Sequence, residues 1–172
     1  GSARRRPFLR PVDRAAGLAG GLCLQWLALR DIRVYAHAAC IGGVDDTPLD
    51  PVHPDEAALA AVADKPMPVL SVAAGEAMAA AVEQARRETD SVGGVVEGIV
   101  LGLPAGLGDP MFLGLEARFA SLLFSIPAVK AVGFGDAFGV SDARGSINND
   151  RLYLEDGAVR MRTNHGGGID GG

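Results

Sequence analysis

The 172-residue chain is poor in aromatic residues, which make up 5% of it, and it holds two cysteines, three histidines and one tryptophan. So few rings exclude a core built on aromatic stacking. With 48% hydrophobic residues and 24 glycines, Ala, Val, Leu and Ile must pack closely instead. No apolar run reaches the eighteen or so residues that a membrane span requires, so no membrane partner is expected. Cys23 and Cys40 stand among apolar neighbours, outside any CxxC or spaced framework. That predicts reduced, buried thiols in a cytoplasmic protein rather than a disulfide or a nucleophile. The opening GSARRRPFLR has arginines but no apolar stretch ahead of a cleavage site, so no secretion signal is expected. Positive charge is not in excess either. The formal net charge is −5, and five arginines and one aspartate within residues 1–14 set a local +4 against −9 for the rest. This balance speaks against nucleic-acid binding over the whole surface and leaves room for one anion site at the N-terminal end.

What is present suits one domain with a real core, so residues 1–172 are read as a single domain. Apolar residues at three- and four-residue spacing predict a helix over 13–30, with Gly20 and Gly21 as its weak point. The alternation in IRVYAHAACIGG predicts a strand. A Pro/Asp-rich loop follows, with Asp55 placed to cap a short helix reaching Val62. Residues 71–88 carry the clearest helical pattern, with Ala74, Met78, Ala81, Val82 and Ala85 on one side and a Glu83/Arg87 pair on another. SVGGVVEGIVLGLP reads as strand. A helix between Asp109 as cap, Pro110 in the first turn and Pro127 as stop comes next, then a strand in AVKAVGFGD. RLYLEDGAVRMRTN folds back on Glu155-Asp156-Gly157 as a hairpin. Helices alternating with strands that end in a hairpin predict an α+β fold, with antiparallel sheet layers packed against helices.

Chemistry is concentrated in glycine-rich stretches. Gly106-Leu107-Gly108 ahead of a helix invites a phosphate-loop reading, but the Asp109 carboxylate would repel an anion and Pro110 has no N–H to give, so a tight positioning loop is preferred. The histidines lack metal-site spacing: His37 reads as a satisfied core histidine, His53 as solvated. His165 directly precedes five glycines in the last seven residues, and both an acid–base or ligand-donor role and a turn-fixing role stay open. Asp136 and Asp150 lie where tight turns could aim them, with Asx turns the plainer reading. No GxSxG elbow is present, so serine hydrolase logic fails. The closing glycines themselves read either as a loose tail or as backbone meant for close approach to a ligand.

Several strings in order carry a resemblance: DSVGGVVEGIVLGLPAGLGDPMF, SIPAVKAVGFGDAF, GSINND and TNHGGGIDGG, with GGLCLQWLALRDIRVYAHAACIGGVDDTPLDP and DKPMPVL upstream. Together they resemble the central segment of the chorismate synthase family over residues 16–172. The resemblance implies a lyase of the shikimate pathway of aromatic amino acid biosynthesis. The reaction is the 1,4-trans elimination of phosphate from 5-enolpyruvylshikimate 3-phosphate, with reduced FMN as cofactor although no net redox change occurs. It implies a homotetramer, and it admits the NADP couple, as NADPH, as the reductant of a flavin reductase activity. Carried over by motif, flavin contacts fall on Pro127, Ala128 and Gly171, with Asn164, His165, Gly167 and Gly168 as neighbours on the same turn.

The departures have consequences. The family's catalytic histidine motifs, its KPTPS-type lysine loop and its GRHDPC segment do not occur in this sequence, so the catalytic residues are unknown here. Ser2, Ala3 and Arg4 are either a remnant of a serine/arginine flavin loop or the trace of an expression tag. Gly166 replaces the family's alanine, and Asp170 adds negative charge beside an anionic cofactor. The alternative to an enzyme is therefore a catalytically inactive scaffold or oligomerisation module, its terminal glycine turn frayed and empty.

Overall fold

A computed structural model describes residues 11–172, with the side chains of the first helix described from Arg14 onward. Ser2, Ala3 and Arg4 lie outside the described residues. Helix α1 (Pro11–Ala28) runs unbroken through Gly20 and Gly21. It leads through a turn into β1 (Arg33–Ile41), which pairs antiparallel with the two-residue β2 (Val44–Asp45) on one side and with β3 (Gly94–Leu101) on the other. The sheet order is β2-β1-β3. The register of β1 against β3 shifts between Ala38 and Cys40, a bulge that turns the end of β1 toward β2.

Residues between β2 and β3 cover this sheet. Helix α2 (Glu56–Ala61) starts where the sequence places it, the Asp55 carboxylate accepting the Ala58 amide at 3.0 Å. Helix α3 (Val72–Arg87) is capped by Ser71 and buries Gly75, Met78 and Ala85 along one stripe. Met78 is 0% exposed and packs with Val69 and Ala38, against Ile41, Val44 and Met67. A methyl group on Gly75 would stand 2.7 Å from a Val69 methyl, so the glycine lets α3 approach the 67–69 segment. That segment lies beside β1, the Ala38 amide donating to the Pro68 carbonyl at 2.7 Å. On the same strand His37 is 2% exposed, its Nδ1 2.9 Å from Asp46 and its Nε2 3.0 Å from Glu97 directly across the sheet. It is the satisfied core histidine expected, whereas His53 is exposed.

The second half departs further from expectation. Helix α4 (Leu115–Phe124) begins six residues after Asp109, with Gly114 at its cap and no capping side chain. Met111 and Phe112 adopt positive φ of 37° and 61°, which a right-handed helix cannot include. Asp109 instead receives Arg118 Nη2 at 2.9 Å. The strand expected in AVKAVGFGD does not form: residues 128–136 are irregular and run into a 3-10 turn at Ala137–Ser141. Ala128 and Gly135 both sit at positive φ, 72° and 55°, outside any strand geometry. GSINND opens with the single-turn α5 (Gly145–Asn148). The hairpin does form, as β4 (Leu152–Glu155) and β5 (Ala158–Met161), with Asp156-Gly157 at its tip. The result is an α+β arrangement of antiparallel sheets and helices. The thiols correct one expectation: Cys23 is exposed on α1 and Cys40 only half-buried, both free.

Candidate functional site

Three of the glycine-rich strings meet. The Asp136 amide donates to the His165 carbonyl at 2.9 Å, and the Asp136 carboxylate lies 2.6 Å from His165 Nδ1. Asp150 gathers the start of the terminal turn. Its Oδ1 accepts the Thr163 hydroxyl at 2.6 Å and the His165 amide at 2.9 Å, and its Oδ2 accepts the Gly166 amide at 2.8 Å. Burial alone would raise the Asp150 carboxyl, but the Thr163 hydroxyl, the two amides and the nearby His165 outweigh it and hold the group below its ordinary value. Both aspartates that the sequence left as plausible Asx turns thus tie distant loops together.

Glycine is required where the two loops cross. A Cβ on Gly135 would collide with the His165 carbonyl, and one on Gly167 would stand 2.6 Å from the Gly135 amide nitrogen. Gly167 also has φ 72°, which only glycine adopts without cost. The turn is anchored on its other side by Asn164, whose Nδ2 donates to the Pro51 carbonyl at 3.1 Å. This contact fixes which end of the Asn164 amide is oxygen, and that oxygen is buried with no donor facing it among the described residues. At the end of the turn the Gly172 carbonyl accepts from Leu115 N at 3.4 Å, filling the first turn of α4, and Gly108 and Gly114 pack against Gly172. The turn is docked, not frayed as the sequence suggested.

Of the positions singled out from sequence, Asn164, His165, Gly167, Gly168 and Gly171 share this one turn. Gly171 has φ 87°, and no atom lies within 4 Å of where a side chain would begin. Pro127 and Ala128 are elsewhere: they follow the C-terminal end of α4, while Gly172 touches its N-terminal end, and ten helical residues put about 15 Å between those ends. No hydrogen bond joins the 127–128 segment to the turn among the described residues. Ala128 holds φ 72°, a conformation that costs a non-glycine residue roughly 1 kcal/mol or more. Asp136 and Asp150 were not chosen as site residues. Their signal in the sequence was position among glycines and amides, which does not say which loops will meet. No group of three or more His, Cys, Asp or Glu side chains suited to a metal occurs among the described residues.

In this antiparallel α+β scaffold glycine loops converge on a histidine-bearing turn held by two aspartates, with the imidazole partly exposed. A family model described as chorismate synthase matches residues 13–172, and the chain belongs to the chorismate synthase family. A chorismate synthase of Lancefieldella parvula is 38% identical over 165 residues, covering 90% of this chain and 43% of the relative. One of Dehalococcoides mccartyi is 42% identical over 155 residues, covering 90% and 42%. A crystal structure of chorismate synthase superposes with a TM-score of 0.81 over 93% of this chain and 50% of that one, at 23% identity, a likeness of fold. The chain spans about two fifths of the length of these curated relatives.

Proposed function

We propose that this chain forms the central part of a chorismate synthase, a lyase that eliminates phosphate from 5-enolpyruvylshikimate 3-phosphate in the 1,4-trans sense, with reduced FMN as cofactor. The observation that carries the reading is the assembly of GFGDAFG, GSINND and TNHGGGIDGG into one docked turn within a chain of this family. The residues fit a flat cofactor. Gly171 offers backbone with open space beside it, Asn164 keeps an unmet buried acceptor next to the turn, and Ala128 holds a backbone geometry found where chain approaches ligand. Reduced FMN, when bound, supplies electron density that helps the allylic carbon–oxygen bond to phosphate break. Gly171 and its neighbours Gly167 and Gly168 would hold the ring by backbone contact, Pro127 and Ala128 would meet the same cofactor from the far end of α4, and Asp136 and Asp150 keep the turn in place. A cytoplasmic location, a homotetramer and NADPH as reductant of a flavin reductase activity belong to the same proposal.

A second reading concerns the 172 residues taken alone. Met111, Phe112, Leu122 and Phe138 are among the many large apolar residues left exposed, which favours a scaffold that needs further protein around it. On this reading the isolated chain makes no chorismate. The test is anaerobic: the chain is mixed with reduced FMN and substrate while flavin absorbance and chorismate are followed. FMN binding without turnover is the expected result. Turnover by the chain alone overturns the scaffold reading, and absence of any flavin binding overturns the assignment of the turn.

A further inference from the structure

Strand β3 ends the three-stranded sheet, and one of its edges is open. The Ala38 amide is spent on the Pro68 carbonyl, on the side of β1 away from β3. Ala38 and Val96 therefore face each other without exchanging hydrogen bonds, and the alternation of an antiparallel ladder turns the backbone groups of Val96, Gly98 and Val100 to the free edge. These groups have no backbone partner there among the described residues. Sheets blunt such an edge with lysine, proline or a bulge. GVVEGIVL has neither lysine nor proline, and the register shift lies on β1. Its one charge, Glu97, is drawn back to His37 Nε2 at 3.0 Å, while Val96 beside it is 75% exposed. Gly98 is exposed too, and a Cβ there would meet only the Tyr35 carbonyl oxygen, at an ordinary 3.5 Å. The fold of this chain does not demand glycine at that position. A glycine inside a strand often marks a place where another backbone comes close.

We propose that β3 is an interface between two copies of this chain, their open edges joining antiparallel about a two-fold axis at Gly98. The register is self-complementary. Val96 faces Val100 of the second copy and Gly98 faces its own counterpart, so every facing pair on the axis side joins groups that already point outward and exchanges two hydrogen bonds. Glu97 then faces Ile99 of the second copy rather than another carboxylate, and no like charges meet. Val96 shares a sheet face with Ala38, which packs with Met78 of α3. On that face a groove of about 720 Å³ lies between α3 and β3, lined among others by Val82, Ala85 and Val96. The incoming Val100 stands beside Val96 at its open side. The product is one continuous sheet in the order β2-β1-β3-β3-β1-β2. Surface is available for the contact: a stable interface takes about 800 Å² from each partner, and the chain exposes 13138 Å² where a compact monomer of its mass exposes about 8,000 Å². The pairing is independent of flavin binding.

The test combines amide hydrogen exchange with sedimentation of the purified 172-residue chain over a range of concentrations. The amides of Val96, Gly98 and Val100 are expected to become protected in step with the population of dimer, a measurement that needs no variant. Gly98→Lys sets two ammonium groups opposite each other on the axis and leaves the ladder to β1 intact, and it is expected to weaken association by about tenfold or more. Gly98→Ala adds no charge and retains association. Association with those three amides exchanging freely at every concentration overturns the inference and assigns the contact to other faces. Equal association of a folded Gly98→Lys and the unaltered chain overturns it as well. A chain that stays monomeric throughout also overturns it, and leaves the edge to a strand of another protein.

Discussion

His37 shows what a buried polar side chain demands. With both ring nitrogens facing carboxylates, it joins β1 to the loop after β2 and to β3, and Asp46 in turn accepts the amides of Leu70 at 2.5 Å and Ser71 at 2.8 Å. Replacing it by leucine leaves the Asp46 charge buried without its partner, so His37→Leu is expected to cost about 3 kcal/mol in urea unfolding. Burial by itself would raise the Asp46 carboxyl, but the Ser71, Leu70 and Thr47 amides and His37 pull it below its ordinary value. A carboxyl lowered in the folded state contributes stability that is fully present above its unfolded value of about 3.9. That stability is lost as pH falls through the lower folded value. Urea midpoints are therefore expected to hold from pH 7 to 5 and to drop below pH 4, less steeply in Asp46→Asn, which starts from a lower midpoint. At this scale the sequence was partly legible. His37 among apolar neighbours announced a satisfied core histidine. The pairing of His165 with Asp136, residues 29 positions apart, could not be read because it depends on which loops cross.

Elements set by local chemistry were the legible ones. Asp55 and Ser71 cap α2 and α3 as their residue types suggest, and the Asp156-Gly157 tip closes β4 on β5. Legibility failed where backbone conformation overrode pattern. The Asp109-Pro110 start signal did not open the helix: positive φ at Met111 and Phe112 delays α4 to Leu115, with Gly114 at its cap. The apolar run after Pro127 alternates well enough for a strand, yet it has no ladder partner, because the crossing of Gly135 over Gly167 directs it into the site. The stripe of α3 carries the largest buried side chain, and Met78→Ala is expected to lower stability by about 2–5 kcal/mol in thermal or urea unfolding. The same change at exposed Leu122 of α4 is expected to stay within about 0.5 kcal/mol in the isolated chain. That contrast separates the part of the molecule with its own core from the part without one.

Across the whole molecule the surface is too large for a self-sufficient globule. The chain exposes 13138 Å². A compact monomer of 17.7 kDa exposes about 8,000 Å². Large apolar side chains face outward on α1, α4 and the hairpin, among them Leu18, Leu22, Leu122, Leu154 and Val159. The isolated chain is therefore expected to self-associate in analytical ultracentrifugation, with sedimentation that rises with concentration; a monomer at every concentration tested would show that these faces satisfy themselves. The α+β class was legible at this scale from the order of elements. The half-built core was not, because apolar composition does not say which faces find partners within the chain. Whether this segment does the work of the corresponding stretch of a chorismate synthase is decided by segment exchange. Residues 13–172 replace the matching stretch of the Dehalococcoides mccartyi relative, and chorismate formation is measured anaerobically with reduced FMN. FMN-dependent chorismate formation by the folded chimera is the expected result. A folded chimera that forms none, beside an active parent, would contradict it.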